Sequence, residues 1–333
     1  MRAIVLAEGA PYAPAPLSAS HPLPPPSPDT TLVTIHAAAL NHRDVWIRKG
    51  LYPKIVPGSV LGSDCAGTDE SGRRVLINPS VNWASDPRAP ENPDIYGMLG
   101  LLPLPGTLAE QVRVPSRLVH PVPSHLDFVH AAALPLAGLT AYRAVVTRGE
   151  VKPGDKVLIT GIGGGVAIFA LQFARALGAT VIVTSSDDSK IARAVKLGAA
   201  AGINYKNLDW RKAIGAHGPF DVVIDGAGGE GVAVYIKSMR PGGNLVVYGS
   251  TAGSEVPLQI PIVFLKNINI KGSTMGNEAE FKSMLELVSK HEIVPIVSSI
   301  VDGLERAEGA FDMMKNGNQF GKLVIRVHEK HHL

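Results

Sequence analysis

The sequence predicts an α/β protein in two parts, a mostly β first part and a doubly wound parallel sheet of six strands behind it. Three observations carry this. A chain of 333 residues is long enough for roughly two domains, each with its own core. Its first half is rich in short β-like runs broken by proline and glycine. From about residue 127 onward, apolar strands alternate with helices, which is the rhythm of right-handed βαβ units on a parallel sheet.

Taken in order, Ala3–Leu6, Leu32–Ala37, Val75–Ile77 and Gln111–Val114 read as strands. Eight of the 26 prolines lie between Pro11 and Pro28, so that stretch reads as an extended surface loop, because proline cannot donate to a sheet ladder. The second part opens with strand Lys156–Thr160, helix Val166–Leu177, strand Thr180–Thr184 and helix Asp188–Leu197. Strand Gly202–Tyr205, a short helix near Asp209–Ile214, strand Phe220–Ile224 and a helix near Val232–Met239 follow. Strands Asn244–Tyr248 and Ile268–Lys271 complete the six. Glu278–Lys290 and Leu304–Lys315 read as amphipathic helices, and Lys322–Val327 as a closing strand.

Composition narrows the function. With 32 Lys and Arg against 29 Asp and Glu, the net charge of +3 lacks the basic footprint of a nucleic-acid binder. The single cysteine, Cys65, excludes an intramolecular disulfide and points to a reducing, cytoplasmic setting. Met1–Gly9 reaches Glu8 and then Pro11 before a signal-peptide core can form. Val157–Ala174 is nearly uncharged, but its glycine-rich turn argues against a membrane span.

The strongest local signal is Gly161-Ile162-Gly163-Gly164-Gly165-Val166-Ala167, which directly follows an apolar strand and opens a helix. Such a turn needs positive φ and close backbone approach, and the helix N-terminus then offers free N–H groups to a pyrophosphate. Its register ends at either Val166 or Ala167, and Gly163, Gly164, Gly165 and Val166 are the expected dinucleotide contacts. The next strand ends Thr184-Ser185-Ser186, where NAD-binding domains place a ribose-binding carboxylate. Small hydroxyls at Ser185 and Ser186 leave room for a 2′-phosphate, with Lys190 as countercharge, which favours NADPH. The competing reading takes Asp187 or Asp188 as the ribose carboxylate, although both suit the N-terminus of the following helix.

Further stretches are Ala37-Ala38-Ala39-Leu40-Asn41-His42-Arg43-Asp44, Ala131–Ala141 around Leu134-Pro135, Gly198-Ala199 before Ile203-Asn204-Tyr205, Arg240-Pro241-Gly242-Gly243 before Val247-Tyr248-Gly249, and Phe320-Gly321-Lys322-Leu323-Val324. In this order, over nearly the whole chain, they resemble the medium-chain dehydrogenase/reductase superfamily, and within it the zinc-free quinone oxidoreductase branch that includes zeta-crystallin. The resemblance implies a GroES-like catalytic domain from residues 1–126 and 270–333, with a Rossmann coenzyme domain, residues 127–269, inserted. It also implies that Ser185 or Ser186, Lys190 and Tyr205 contact the 2′-phosphate, and that Thr140, Gly226, Ala227, Gly249 and Ser250 neighbour the nicotinamide. Lys322 joins these expected coenzyme contacts. A homodimer, pairing near Ile268–Lys271, is a further family expectation.

Zinc alcohol dehydrogenases carry a cysteine where this chain has Asn41, a His-Glu pair where it has Ser63-Asp64, and a further ligand near Leu136. A catalytic zinc needs three protein ligands of that kind, and residues 78–106 lack the cysteines of a structural lobe, so no zinc is expected. Cys65 reads as a buried structural thiol, and His328, His331 and His332 as part of a solvated tail. Without a Lewis acid, reduction of a quinone or an α,β-unsaturated carbonyl is easier than alcohol oxidation, because hydrogen-bond donors can stabilise the anion that forms. Asn41 and Tyr52 are the expected donors, although Tyr52 also suits plain packing. Asp64 either reaches the nicotinamide side or pairs with Arg43 or another cation, and Trp46 and Tyr96 either line an aromatic slot or pack. Arg43-Asp44 puts charge where a small apolar quinone needs none, unless Arg43 is exposed. Reduction of alkenals or enoyl thioesters is the nearest alternative, and a low-turnover NADPH-binding sensor or structural protein is the alternative from another class.

Overall fold

The structure is a computed structural model describing residues 1–9 and 11–327, so the histidines at 328, 331 and 332 lie outside the described residues. Its chain forms two compact units, Met1–Ala137 with Asn277–Leu333, and Gly138–Gly276.

The first unit is built around β1 (Thr30–Ala39), whose Val33, Ile35, Ala37, Ala38 and Ala39 are fully buried. Antiparallel pairing joins β1 to β2 (Asp64–Asp69), β2 to β3 (Arg74–Ile77), β1 to β4 (Gln111–Pro115) and β3 to β5 (Val119–Pro121). The sequence pattern predicts no strand over β2, which carries one β-branched residue in Asp-Cys-Ala-Gly-Thr-Asp. Pairing on both sides and near-complete burial make it one, so tertiary context outweighs propensity. Between β1 and β2 lies another unpredicted element, helix α1 (His42–Arg48), with Asn41 at its N-cap. The proline-rich stretch holds only the two-residue strand Leu17–Ser18, paired with Ala3–Ile4.

The second unit carries β6 (Lys156–Ile159), α2 (Gly165–Ala176), β7 (Thr180–Ser185), α3 (Asp188–Lys196) and β8 (Ala201–Asn204). It continues with α4 (Trp210–His217), β9 (Phe220–Asp225), α5 (Gly231–Lys237), β10 (Met239–Val247), α6 (Ile260–Leu265) and β11 (Asn269–Gly272). All six strands are parallel, in the order β8-β7-β6-β9-β10-β11, so the predicted doubly wound sheet is present. The order reverses between β6 and β9, where such sheets bind ligands at their carboxyl ends. Helix α6, which the sequence pattern does not predict, exposes Ile260, Phe264 and Leu265.

The chain returns to the first unit through α7 (Glu278–Lys290), β12 (Val297–Asp302), α8 (Ala307–Asn316) and β13 (Lys322–Arg326). Strand β13 pairs antiparallel with β1, and β12 pairs parallel with β13. The cysteine-free segment 78–106 is organised by a carboxylate. Glu91 accepts the backbone N–H groups of Ala84, Ser85 and Asp86 at 2.9, 2.7 and 2.9 Å, and these bonds lower its pKa to about 2. Trp83, fully buried, donates its indole N–H to Asp86 O at 2.8 Å and packs edge-on against Tyr96. Among the described residues, no helix is long and apolar enough to cross a membrane.

Candidate active site

The glycine turn lies at the carboxyl end of β6 and leads into α2, whose N-cap is Gly164. Gly161 and Gly163 have φ of +66° and +133°, which side-chain-bearing residues rarely adopt. A Cβ added to Gly161 or Gly164 would meet nothing within 4 Å, leaving open backbone beside the first N–H groups of a twelve-residue helix. That cradle fits a pyrophosphate. Gly165 and Val166 form the first residues of α2. Lys190, on α3, lies across the turn, and a Cβ at Gly163 would come 2.9 Å from its Cδ.

Ser185 is buried at the end of β7, and its hydroxyl accepts the Asp187 N–H at 3.2 Å. Asp187 caps α3 by accepting the Ser189 N–H at 2.8 Å, and Asp188 accepts from Asn204 Nδ2 at 3.0 Å. Both carboxylates are therefore engaged at the helix start, and Ser186 precedes them, half-buried. Tyr205 follows β8, bonded through its backbone N–H to Ser185 O at 3.0 Å, with 43 % of its surface exposed. At the reversal, buried Asp225 accepts from Thr160 Oγ1 at 2.6 Å and from Gly228 N at 2.8 Å. Gly226 and Ala227, after β9, and Gly249 and Ser250, after β10, occupy the same sheet edge. Thr140, in the helix Pro135–Tyr142, is buried and donates to Met275 Sδ at 3.8 Å.

In the first unit, Asn41, Asp64 and Lys322 meet, brought from the N-cap of α1, the start of β2 and the start of β13. Lys322 Nζ donates to Leu40 O at 2.7 Å, Asn41 Oδ1 at 2.5 Å and Asp64 Oδ2 at 2.9 Å. Asn41 Nδ2 donates to the same Asp64 Oδ2 at 2.9 Å, while Asp64 Oδ1 accepts the Leu136 backbone N–H at 2.8 Å. Lys322 and Asp64 are buried to within a few per cent of their side chains. The cation that pairs with Asp64 is therefore Lys322, not Arg43. Lys322, expected among the coenzyme contacts, has each ammonium hydrogen engaged inside this cluster. Asp44 fixes the main chain beneath it by accepting the Asn41 N–H at 2.8 Å, and burial raises the pKa of Asp44 despite neighbouring Arg43.

Residues 27–124 match the alcohol dehydrogenase GroES-like domain family, and residues 165–290 the zinc-binding dehydrogenase family. A zinc-type alcohol dehydrogenase-like protein YogA from Leptosphaeria maculans is 39 % identical, over 91 % of this chain and 92 % of that one. The chain belongs to the medium-chain dehydrogenase/reductase superfamily. An acryloyl-coenzyme A reductase from Sulfurisphaera tokodaii is 28 % identical, over 92 % of this chain and 94 % of that one. Among solved structures, an NAD-dependent alcohol dehydrogenase superposes with a TM-score of 0.88 at 34 % identity, covering 98 % of this chain and 100 % of that one.

The zinc that gives the family its name finds no matching donors here. Asn41 Oδ1 is taken by an ammonium group, Ser63 Oγ donates to Leu99 O at 2.8 Å, and Leu136 has no donor side chain. No group of three His, Cys, Asp or Glu among the described residues could hold a metal ion. Cys65 is fully buried, and burial raises its pKa, so its thiol is inert at neutral pH. Tyr52 is half-buried against the core, with the Arg43 guanidinium 4.9 Å from its ring centroid. Trp46 lies on the exposed side of α1 beside His42 and Lys49, and Tyr96 packs on Trp83. The Lys322 partnership is the feature that sequence reasoning missed. Its signal was a lysine opening an otherwise apolar closing strand, where a charge demands a buried partner.

Proposed function

We propose that this superfamily member is an NADPH-dependent reductase of α,β-unsaturated carbonyl compounds that works without zinc. The observation that carries the reading is the Lys322 ammonium seated between Asn41 and Asp64. A cation on Oδ1 polarises the Asn41 amide, and Asp64 fixes its orientation. Only one Nδ2 hydrogen is committed to Asp64, so the second is available to a carbonyl oxygen on which negative charge develops. Tyr52, whose hydroxyl has no hydrogen bond among the described residues, is a second donor. Asp64 acts as a positioning residue.

When bound, NADPH supplies the hydride, which adds to the β-carbon while a solvent proton adds to the α-carbon, leaving NADP⁺ and the saturated carbonyl compound. The glycine turn would hold its pyrophosphate. Gly226, Ala227, Gly249, Ser250 and Thr140 would flank the nicotinamide, and Ser185, Ser186, Lys190 and Tyr205 the 2′-phosphate. NADPH is favoured over NADH because Asp187 and Asp188 are spent on α3 and on Asn204, while Lys190 reaches the turn. The acryloyl-coenzyme A reductases among the relatives support reduction of a carbon–carbon double bond.

The test is oxidation of NADPH and NADH by the purified protein across enones, enals, enoyl thioesters and quinones, beside oxidation of primary alcohols. NADPH-selective turnover of a conjugated carbonyl is expected, with Lys190→Ala raising the KM for NADPH about tenfold and not that for NADH. Alcohol oxidation with NAD⁺ and no reduction of any conjugated carbonyl would overturn the reading. Tight NADPH binding without turnover would favour a sensor or structural role.

A further inference from the structure

A pocket of about 400 Å³ lies wholly within the first unit, and none of the residues assigned above to coenzyme or substrate lines it. That volume is within the range of about 300–1,000 Å³ found for small-molecule sites. Two loops form its walls, residues 21–25 of the proline-rich stretch and residues 102–106. Glycine at 106 lets the second loop lie against Val60, because a Cβ there would come 1.9 Å from Val60 O. The five prolines in these walls have no N–H to offer, and the Leu102 and Leu104 N–H groups are spent on Ser59 Oγ and Leu101 O, both at 2.9 Å. The lining is therefore apolar and poor in donors, with one exception. Arg113, in the middle of β4, is the only Lys or Arg among the lining residues. Its neighbours Val112 and Val114 turn into the core, which puts Arg113 on the opposite face of the strand, yet its side chain is only 10 % exposed. No hydrogen bond to its guanidinium forms among the described residues, and its Nε is buried without a partner. Glu70 Oε1 stands 3.9 Å from Nη1, beyond hydrogen-bond distance, on a side chain that is 57 % exposed, and Glu70 Oε2 accepts the Leu32 N–H at 3.5 Å.

We propose that this pocket is a second binding site, for a linear apolar carboxylate of the medium-chain fatty-acid class, with the carboxylate on Arg113 and the alkyl chain against the proline and leucine walls. A guanidinium offers a planar fork that meets a carboxylate with two parallel bonds, and here no protein acceptor fills it. A half-solvated carboxylate at 3.9 Å compensates that charge weakly and is easily displaced by a ligand that brings its own. One cation in a donor-poor lining suits a single negative charge better than a phosphate monoester, whose double charge and three acceptor oxygens call for several donors. The walls in turn favour an alkyl chain, because burying each CH2 tightens binding by about fourfold. The proposal is independent of the reductase reading, since the two share no residue.

The experiment titrates the full chain with hexanoate, octanoate and decanoate by calorimetry, beside 1-octanol, which keeps the alkyl chain and removes the charge. Saturable binding is expected, with Kd falling about fourfold for each added CH2 and octanoate binding about tenfold or more tighter than 1-octanol. Arg113→Gln is expected to bring the acid-to-alcohol ratio close to one, and Arg113→Lys to restore part of it. Leu23→Trp, in the wall loop, is expected to weaken acid and alcohol alike by filling the space for the chain. Thermal unfolding of each variant without ligand confirms that it is folded, and the comparison of acid with alcohol on the wild-type chain needs no variant. Equal affinity for octanoate and 1-octanol on the wild-type chain would overturn the role of Arg113. Octanoate binding that neither Arg113→Gln nor Leu23→Trp weakens would place the acid elsewhere on the chain and overturn the site. Absence of saturable binding by all three acids would overturn the proposal as a whole and leave the reductase reading untouched.

Discussion

Replacing Lys322 with methionine keeps the length of the side chain and removes the charge that holds Asn41 and Asp64 together. The ammonium occupies three acceptors at 2.5 to 2.9 Å, and its side chain is 4 % exposed against 0 % for Asp64. Without it, the Asp64 carboxylate stays buried with only two neutral donors, Asn41 Nδ2 and the Leu136 N–H. Removing one partner of a buried pair typically costs about 3–5 kcal/mol, because the remaining charge is left uncompensated. Lys322→Met is therefore expected to lose about that much stability, and Asp64→Asn a comparable amount, because it strands the ammonium. The double variant removes both charges and should recover about 2 kcal/mol or more relative to the sum of the singles. Urea unfolding of the full chain measures the three differences. Hydrogen exchange at β1 and β2 amides assigns them to the first unit rather than to the unit Gly138–Gly276. A loss below about 1 kcal/mol for Lys322→Met, or additivity within about 0.5 kcal/mol, would refute the reasoning. It would show that the cluster is wet or rearranges freely, and the polarised Asn41 amide would lose its basis.

Two further outcomes are expected. His120 is held neutral, its pKa lowered to about 4 by burial and by Lys282, against 6.5 for an unperturbed histidine. A folded-state pKa below the unfolded one means that its contribution is fully present above pH 6.5 and is lost as pH falls toward 4, by up to about 3 kcal/mol. His120→Phe, facing Phe281 at 5.0 Å between ring centroids, should flatten that part of the stability–pH curve, and parallel curves for the two proteins would refute it. On the second unit, Ile260, Phe264 and Leu265 are 61 %, 61 % and 72 % exposed beside edge strand β11, a surface suited to a second copy of the chain. Sedimentation should find a dimer that Phe264→Glu converts to monomer; a wild-type monomer at micromolar concentration would contradict the pairing.

What could be read in the sequence was what its neighbours in the chain determine. The glycine turn was legible because strand, glycines and helix are contiguous between Lys156 and Ala176, and Glu278–Lys290 because an amphipathic repeat and a capping residue suffice. The capping role of Asp187 was legible for the same reason. Helix α1 carries a local signal as well, Asn41 followed three residues on by Asp44, but the chemistry expected of Asn41 obscured its role as an N-cap. The Asn41–Asp64–Lys322 cluster has no local signature. Its bonds join residues 258 and 281 positions apart, and each residue alone fits a blander role. Arg43 shows the same limit from the other direction. The sequence offers it as a partner for Asp64, but in the fold Lys322 holds Asp64 and the guanidinium turns to Ser63, Leu99 and Tyr52. Which cation reaches the Asp64 carboxylate is settled by the pairing of β13 with β1, which sets Lys322 beside Leu40 and Asn41, and nothing in the sequence around Asp64 or Arg43 records that pairing.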